Sequence, residues 1–229
     1  MTISFSAIPS DIRVPLFWAE MDNSKANTTA DSAPALLMGY ASADSTIEKN
    51  TLTIMPSAAL AGKVAGRGSQ LARMVSRYRN VDPFGEVWVI AVDEPTGAAA
   101  SGTLTITGTA QASGNLSLYI GVDRVQGAVV TGDSASAVAT TLAAAINANV
   151  DLPVTAAAEA GVITLTARHK GLTGNDIPLA LNYYGTVGGE STPDGIAVAI
   201  GAMSGGTGAP ELAAAVAAMG DEAFDFIAL

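Results

Sequence analysis

The hydrophobic pattern of this chain changes character part-way along, and that change constrains the fold more than any other feature. Before residue 93 the strand-like segments are unbroken apolar runs, Ala35-Leu36-Leu37-Met38-Gly39-Tyr40 and Val87-Trp88-Val89-Ile90-Ala91-Val92. Runs of this kind suit strands buried on both faces, as in parallel sheets flanked by helices. After residue 102 the segments alternate with period two and are rich in Thr, as in Thr103-Leu104-Thr105-Ile106-Thr107 and Leu116-Ser117-Leu118-Tyr119-Ile120. That alternation suits antiparallel strands with one wet face. The stretch between, Asp93-Glu94-Pro95-Thr96-Gly97-Ala98-Ala99-Ala100-Ser101-Gly102, has linker composition and marks a domain boundary. The expected fold is therefore mixed, part α/β and part α+β, with two architectures on one chain.

In the first part, Ser57 is placed to cap a short helix running to Lys63, and Ser69 a second helix from Gln70 to Arg79. Leu71, Met74, Val75 and Tyr78 recur at helical spacing and give that second helix one apolar face, with Arg73, Arg77 and Arg79 off it. Strand, helix and strand in this order predict parallel pairing. In the second part, the strands at 103–107, 116–120 and 128–130 are expected to form one small antiparallel sheet, its dry face covered by an Ala-rich helix capped at Asp133 or Ser134 and ending near Asn147. Strands near 153–158 and 161–168, then 177–183 and 195–203, complete a β-rich domain. A further helix over 211–219 and a buried strand over 224–229 follow a Gly-rich lead-in at 204–210.

The division expected is thus an extended arm over 1–34, the first part of an α/β core over 35–95, an inserted β-rich domain over 103–200 and the start of another core segment over 204–229. Residues 1–34 hold scattered apolar side chains and then a polar run from Asp22 to Ser32, too little to define a packed element. Ending on a strand suggests that the polypeptide is the N-terminal piece of something longer.

Charge and composition narrow the function. Eleven basic against 21 acidic residues give a formal charge of −10, which repels a phosphate backbone and argues against nucleic acid as a partner. Residues 100–229 carry 3 basic and 11 acidic groups, so most of the acidity lies in the second half. The chain has no Cys, which removes disulfides, thiolate zinc sites and a cysteine nucleophile. The N-terminus lacks the basic and apolar regions of a secretion signal, and no long apolar span is present, so a cytosolic, soluble chain with no membrane partner is expected.

No catalytic constellation is legible. His169, the one histidine, lies between Arg168 and Lys170 at a strand end with no acidic partner in sequence, and is expected to face solvent. Gly62-Lys63 lacks the hydroxyl residue and upstream glycine of a phosphate loop. Gly205-Gly206-Thr207-Gly208 reads as a flexible lead-in to a helix rather than an anion cradle. Asp93-Glu94 and Asp221-Glu222 with Asp225 lack the ligand ladder of a calcium loop. No catalytic residue, metal site or cofactor is expected. Arg67, Arg73, Arg77 and Arg79 form the one basic cluster and are candidates for charge contacts with another copy of the chain.

Residues 3–15, Ile-Ser-Phe-Ser-Ala-Ile-Pro-Ser-Asp-Ile-Arg-Val-Pro, resemble the opening of the tail sheath proteins of Mu-like contractile-tailed bacteriophages. Residues 66–74, Gly-Arg-Gly-Ser-Gln-Leu-Ala-Arg-Met, resemble that family's Gly-x-Gly-Ser-x-Leu-Ala-x-Met segment, and Glu86-Val87-Trp88 its following strand. Arg168-His169-Lys170-Gly171, Gly174-Asn175-Asp176-Ile177, and Gly205-Gly206 with Pro210 ahead of Gly220-Asp221-Glu222 are also similar. The resemblance covers essentially the whole chain, whereas family members continue past its C-terminus. It implies a non-enzymatic virion subunit, assembled in the host cytoplasm, that stacks in rings around a tail tube protein, meets baseplate and tail terminator proteins, and contracts to drive the tube through the host envelope. In that setting Phe5, Ile8, Ile12, Val14, Leu16 and Trp18 are expected to mediate self-assembly as a strand-adding arm, and the 103–200 domain is expected to face outward. The competing reading is a virion-surface binding module, an adhesin or glycan-binding β domain, for which Tyr119, Tyr183 and Tyr184 are the available aromatic groups.

Overall fold

The computed structural model describes residues 34–229. The expected arm, with Phe5, Ile8, Ile12, Val14, Leu16 and Trp18, therefore lies outside the described residues apart from Pro34. The described residues form a mixed α/β sheet and a β-sandwich, with four α-helices and eleven strands.

Strands β1 (Ala35–Tyr40) and β3 (Val87–Val92) pair in parallel along their whole length, Ala35 opposite Val87 and Tyr40 opposite Val92. A two-residue strand β2 (Thr53–Ile54), which has no sequence signal, adds antiparallel to β3. Helices α1 (Ala58–Val64) and α2 (Gln70–Val81) begin at the serine caps expected of them: Ser57 accepts from the Leu60 amide and Ser69 from the Ala72 amide. Leu71 and Val75 of α2 pack with Leu37, Val87, Val89 and Ala91 on one face of the sheet. Leu36, Met38, Tyr40, Ile90 and Val92 face the other way, where Leu212, Ala215 and Met219 cover them. Both faces of β1 and β3 are dry, which accounts for their unbroken apolar sequence.

The chain leaves this sheet after β3 and returns to it with helix α4 (Ala213–Met219) and strand β11 (Phe226–Ala228), which pairs parallel to β1 at the sheet edge. Among the described residues the expected buried strand is thus an edge strand instead. Phe226 is 60% and Ile227 51% exposed. A short apolar run carries no signal of whether a second neighbour will cover it.

Between departure and return lies the sandwich. One sheet has the order β10–β4–β8–β7, built from β4 (Ala99–Gly108), β7 (Val154–Glu159), β8 (Val162–Lys170) and β10 (Ile196–Ser204). The other is β6–β5–β9, from β5 (Gly114–Ile120), β6 (Asp123–Val129) and β9 (Leu179–Leu181). The single small sheet expected of the first three alternating segments is therefore split, because β4 pairs with β8 and β10 rather than with β5. Leu104 and Ile106 of β4 meet Leu116, Leu118 and Ile120 of β5 across the core of the sandwich. Strand β4 also starts at Ala99, inside the stretch read as linker.

Helix α3 (Ala135–Ala148), capped by Ser134, packs against β6 of one sheet and β7 of the other, which are both edge strands. It thus plugs an open side of the sandwich instead of covering one sheet face. Val138, Leu142 and Ile146 point inward and are buried. A Cβ on Gly127 of β6 would sit 3.0 Å from a Leu142 methyl carbon, so helix and strand approach as closely as glycine allows. Replacing Leu142 with Ala removes a fully buried side chain at this plug. The expected cost is about 2–5 kcal/mol, read as a lower urea midpoint at unchanged slope.

Candidate functional site

The sandwich and the mixed sheet meet along helix α2, and the polar chemistry of the chain is concentrated there. A helix leaves its first amides without internal partners. At α2 the Gln70 amide donates to Nε2 of His169, 3.1 Å away at the end of β8. Because Nε2 accepts, the ring proton resides on Nδ1, which donates to Glu94. Tyr40 stacks obliquely on the same ring, with centroids 5.6 Å apart. Burial, and then the nearby Glu94 charge, push the Tyr40 hydroxyl above its ordinary value. His169 is thus neither solvent-facing nor without an acidic partner. Both its nitrogens are engaged, so it acts as a helix cap supplied from the sandwich.

Gly68, just before the Ser69 cap, brings the backbones into contact. Its φ is +79°, and a Cβ there would run into the Val150 carbonyl and lie 2.8 Å from Nε of Arg168. Nε of Arg168 in turn donates to the Leu152 carbonyl at 2.8 Å.

The four arginines all have partners within the described residues. Arg67 forms a two-pronged pair with Asp151, Nε to Oδ1 being 2.9 Å. Arg77 reaches Asp123 at 2.7 Å, and Arg73 lies 3.8 Å from the same carboxylate. Burial holds the Arg73 guanidinium below its ordinary value, the Asp123 charge working against that shift and Arg77 adding to it. Hydrogen bonding from Arg67 holds the Asp151 carboxyl below its ordinary value. Arg79 instead donates to the carbonyls of Gly85 and Met55, each at 2.7 Å, and binds the turn after α2 to the mixed sheet. Sequence pattern isolates Arg73 and Arg77 as an i, i+4 pair fit to share one anion. That the anion is Asp123, 46 residues beyond Arg77, has no local signal. Lys63, Arg67, Arg73, Arg77, Asp123 and Asp151 line an open cleft of about 630 Å³ between α1, α2 and the sandwich.

The two crossings between sheet and sandwich run side by side. The Thr207 amide donates to the Ala98 carbonyl, and the Ala98 amide to the Thr207 hydroxyl. Asn175 exchanges two bonds with the Gly206 backbone, 2.8 and 3.0 Å long. The Gly-rich segment is therefore the return crossing, its polar groups committed to neighbours. Among the described residues no three His, Asp or Glu side chains converge on a metal-sized site.

A second concentration of polar chemistry lies on the β6–β5–β9 sheet of the sandwich. Glu190 is buried, yet accepts from the Tyr119 hydroxyl, the Tyr184 amide at 3.1 Å and Arg124 at 3.3 Å. Burial pushes its carboxyl up, and the bonds from Tyr119, Tyr184 and Arg124 outweigh that and hold it below its ordinary value of 4.5. The structure brings Tyr119, Tyr183 and Tyr184 together, each ring centroid 5.2–5.9 Å from the other two.

Residues 95–207 match the protein family described as phage tail sheath protein beta-sandwich domain. This span is similar to a phage tail sheath domain. It runs from the outgoing crossing at Pro95 to the return crossing at Thr207, and so contains both sheets of the sandwich with α3. The chain is also 39% identical, over 230 aligned positions, to the Mu-like prophage FluMu tail sheath protein of Haemophilus influenzae. The alignment takes in 99% of the chain and 47% of the relative, so the chain spans about half the length of the curated relative it matches.

Three outcomes follow from the junction between the sandwich and α2. His169→Ala strands the Gln70 amide and Glu94, and should lower unfolding free energy by about 1–2 kcal/mol. Gly68→Ala forces a left-handed backbone and a backbone clash, and should cost about 2 kcal/mol or more, whereas the exposed Arg67→Ala should barely move the denaturation midpoint. Acid sensitivity follows from the carboxylates. Glu190 titrates below its ordinary value of 4.5, so its stabilisation is complete above that value and is lost as pH falls through the lower folded one, whereas the exposed Asp151 pair adds little. The urea midpoint should change little from neutrality to about pH 5 and fall below about pH 4. A midpoint that rises on acidification would contradict the assignment.

Proposed function

We propose that this chain is a structural, non-enzymatic subunit of a contractile phage tail sheath, polymerising with copies of itself around a tail tube and contracting to drive the tube through a host envelope. The observation that carries this reading is 39% identity to a tail sheath protein along 99% of the chain. The geometry agrees with it. The Gln70 amide, Arg67, Arg73 and Arg77 on and before α2 reach groups of the sandwich, as suits a mechanical part.

On this reading the chain divides into an arm at 1–34, core segments at 35–95 and 204–229, and the inserted domain at 103–200. Phe5, Ile8, Ile12, Val14, Leu16 and Trp18 serve as a strand-adding arm. The outer parts of Arg67 and Arg77, 63% and 55% exposed, remain able to meet acidic groups of a neighbouring copy. The tail tube, baseplate and tail terminator proteins are the other partners, in a virion assembled in the host cytoplasm, and the inserted domain faces away from the tube.

Negative-stain microscopy of the natural product that contains this chain, concentrated at moderate salt, tests the proposal. Striated tubes or stacked rings are expected, lost when residues 1–20 are removed. Monodisperse particles under all conditions would overturn it.

A further inference from the structure

We propose that the outer face of the β6–β5–β9 sheet is a binding site for a neutral oligosaccharide. Strand parity sets up the face. Leu116, Leu118 and Ile120 of β5 point into the core, so Asn115, Ser117 and Tyr119 point outward, opposite Ala128, Gln126 and Arg124 of β6. The segment after β9 folds back over this face. Asn182 accepts from the Ser117 amide and donates to the Thr192 hydroxyl at 3.0 Å. What remains between the segment and the strands is an open groove of about 380 Å³. Asn115, Gln126, Ser191, Thr192 and Asp194 line it, a set of amides and hydroxyls with one carboxylate.

Tyr119 is the next outward residue of β5 after Ser117, which lines the groove, and Glu190 lies between the lining residues Gly189 and Ser191 in the chain. A carboxylate in this position is costly to bury unless fully bonded, and Glu190 is bonded from three sides. Its bond to the Tyr184 amide holds a loop on which Tyr183 is 70%, Tyr184 63% and Val187 fully exposed. The interior gains nothing from those three side chains. A buried anion that fixes an exposed aromatic loop is the arrangement of a preorganised contact surface.

The chemistry of the surface selects the ligand. A pyranose ring offers an apolar C–H face to an aromatic ring and a belt of hydroxyls to amides and hydroxyls; the groove supplies the second, and the tyrosine cluster on the same face supplies the first. Charge disfavours acidic glycans, since Arg124 is already paired with Glu190 and the chain carries −10. The site lies wholly within the sandwich, so it does not depend on the sheath reading.

The test is a nitrogen–proton correlation NMR titration of the full chain with maltotriose, cellotriose, mannotriose and chitotriose, each to about 10 mM, a range that resolves weak single-site affinities. At least one should produce saturable shifts confined to residues 113–119, 124–128 and 182–194. The double variant Tyr183→Ala with Gln126→Ala, two exposed positions, should keep the thermal midpoint and weaken binding at least about tenfold. No saturable shift with any of the four sugars overturns the proposal. So do shifts that persist undiminished in the double variant, or shifts that appear instead with an added protein partner alone.

Discussion

The contact on which the rest of the structure depends is the one between the start of α2 and the sandwich. A helix that begins against another layer must find acceptors for its first amides, and here Ser69 supplies one from its own chain and His169 another from nearly a hundred residues on. Only a residue without a side chain at position 68 lets the two backbones come close enough for the second bond. Because α2 also packs on the parallel strands, the same helix belongs to the core of the sheet and is hydrogen-bonded to the sandwich. An inserted domain that would otherwise hang from two crossings is thereby fixed to the sheet it leaves.

Charge follows the same logic. In a chain of net charge −10, the basic cluster on and before α2 is drawn to carboxylates of the sandwich, Asp123 and Asp151. These pairs are largely exposed and orient the junction more than they stabilise it. Glu190 is the opposite case: a single carboxylate taken out of water and held by three donors. It shapes a surface loop instead of a junction.

Much of the local structure was legible in the sequence because it depends on neighbours a few residues away. Serine caps, the apolar spacing of α2 and the doubly buried runs of β1 and β3 are all of this type. The division of the sandwich into two sheets was not legible. Thr103–Thr107 and Leu116–Ile120 alternate identically whether they pair with each other or face each other across a core, and only distant partners decide. The roles of His169 and Glu190 were hidden for a related reason. His169 sits 75 residues from Glu94, and Tyr119 71 from Glu190, so neither pair leaves a motif. The grouping of the tyrosines was half visible, since Tyr183 and Tyr184 are adjacent while Tyr119 joins them through the pairing of β5 with β9.

The hydrogen bonds and ion pairs on and before α2 tie the mixed sheet and the sandwich together. The most direct measurement is the distance distribution between spin labels at Glu48→Cys, beside the mixed sheet, and Thr140→Cys, on α3. The absence of native cysteine makes that labelling clean. One narrow distribution, broadened by Gly68→Ala, is the predicted result. A broad or multi-peaked distribution in the parent chain would show that the domain swings on its crossings, and would contradict the rigid junction described here.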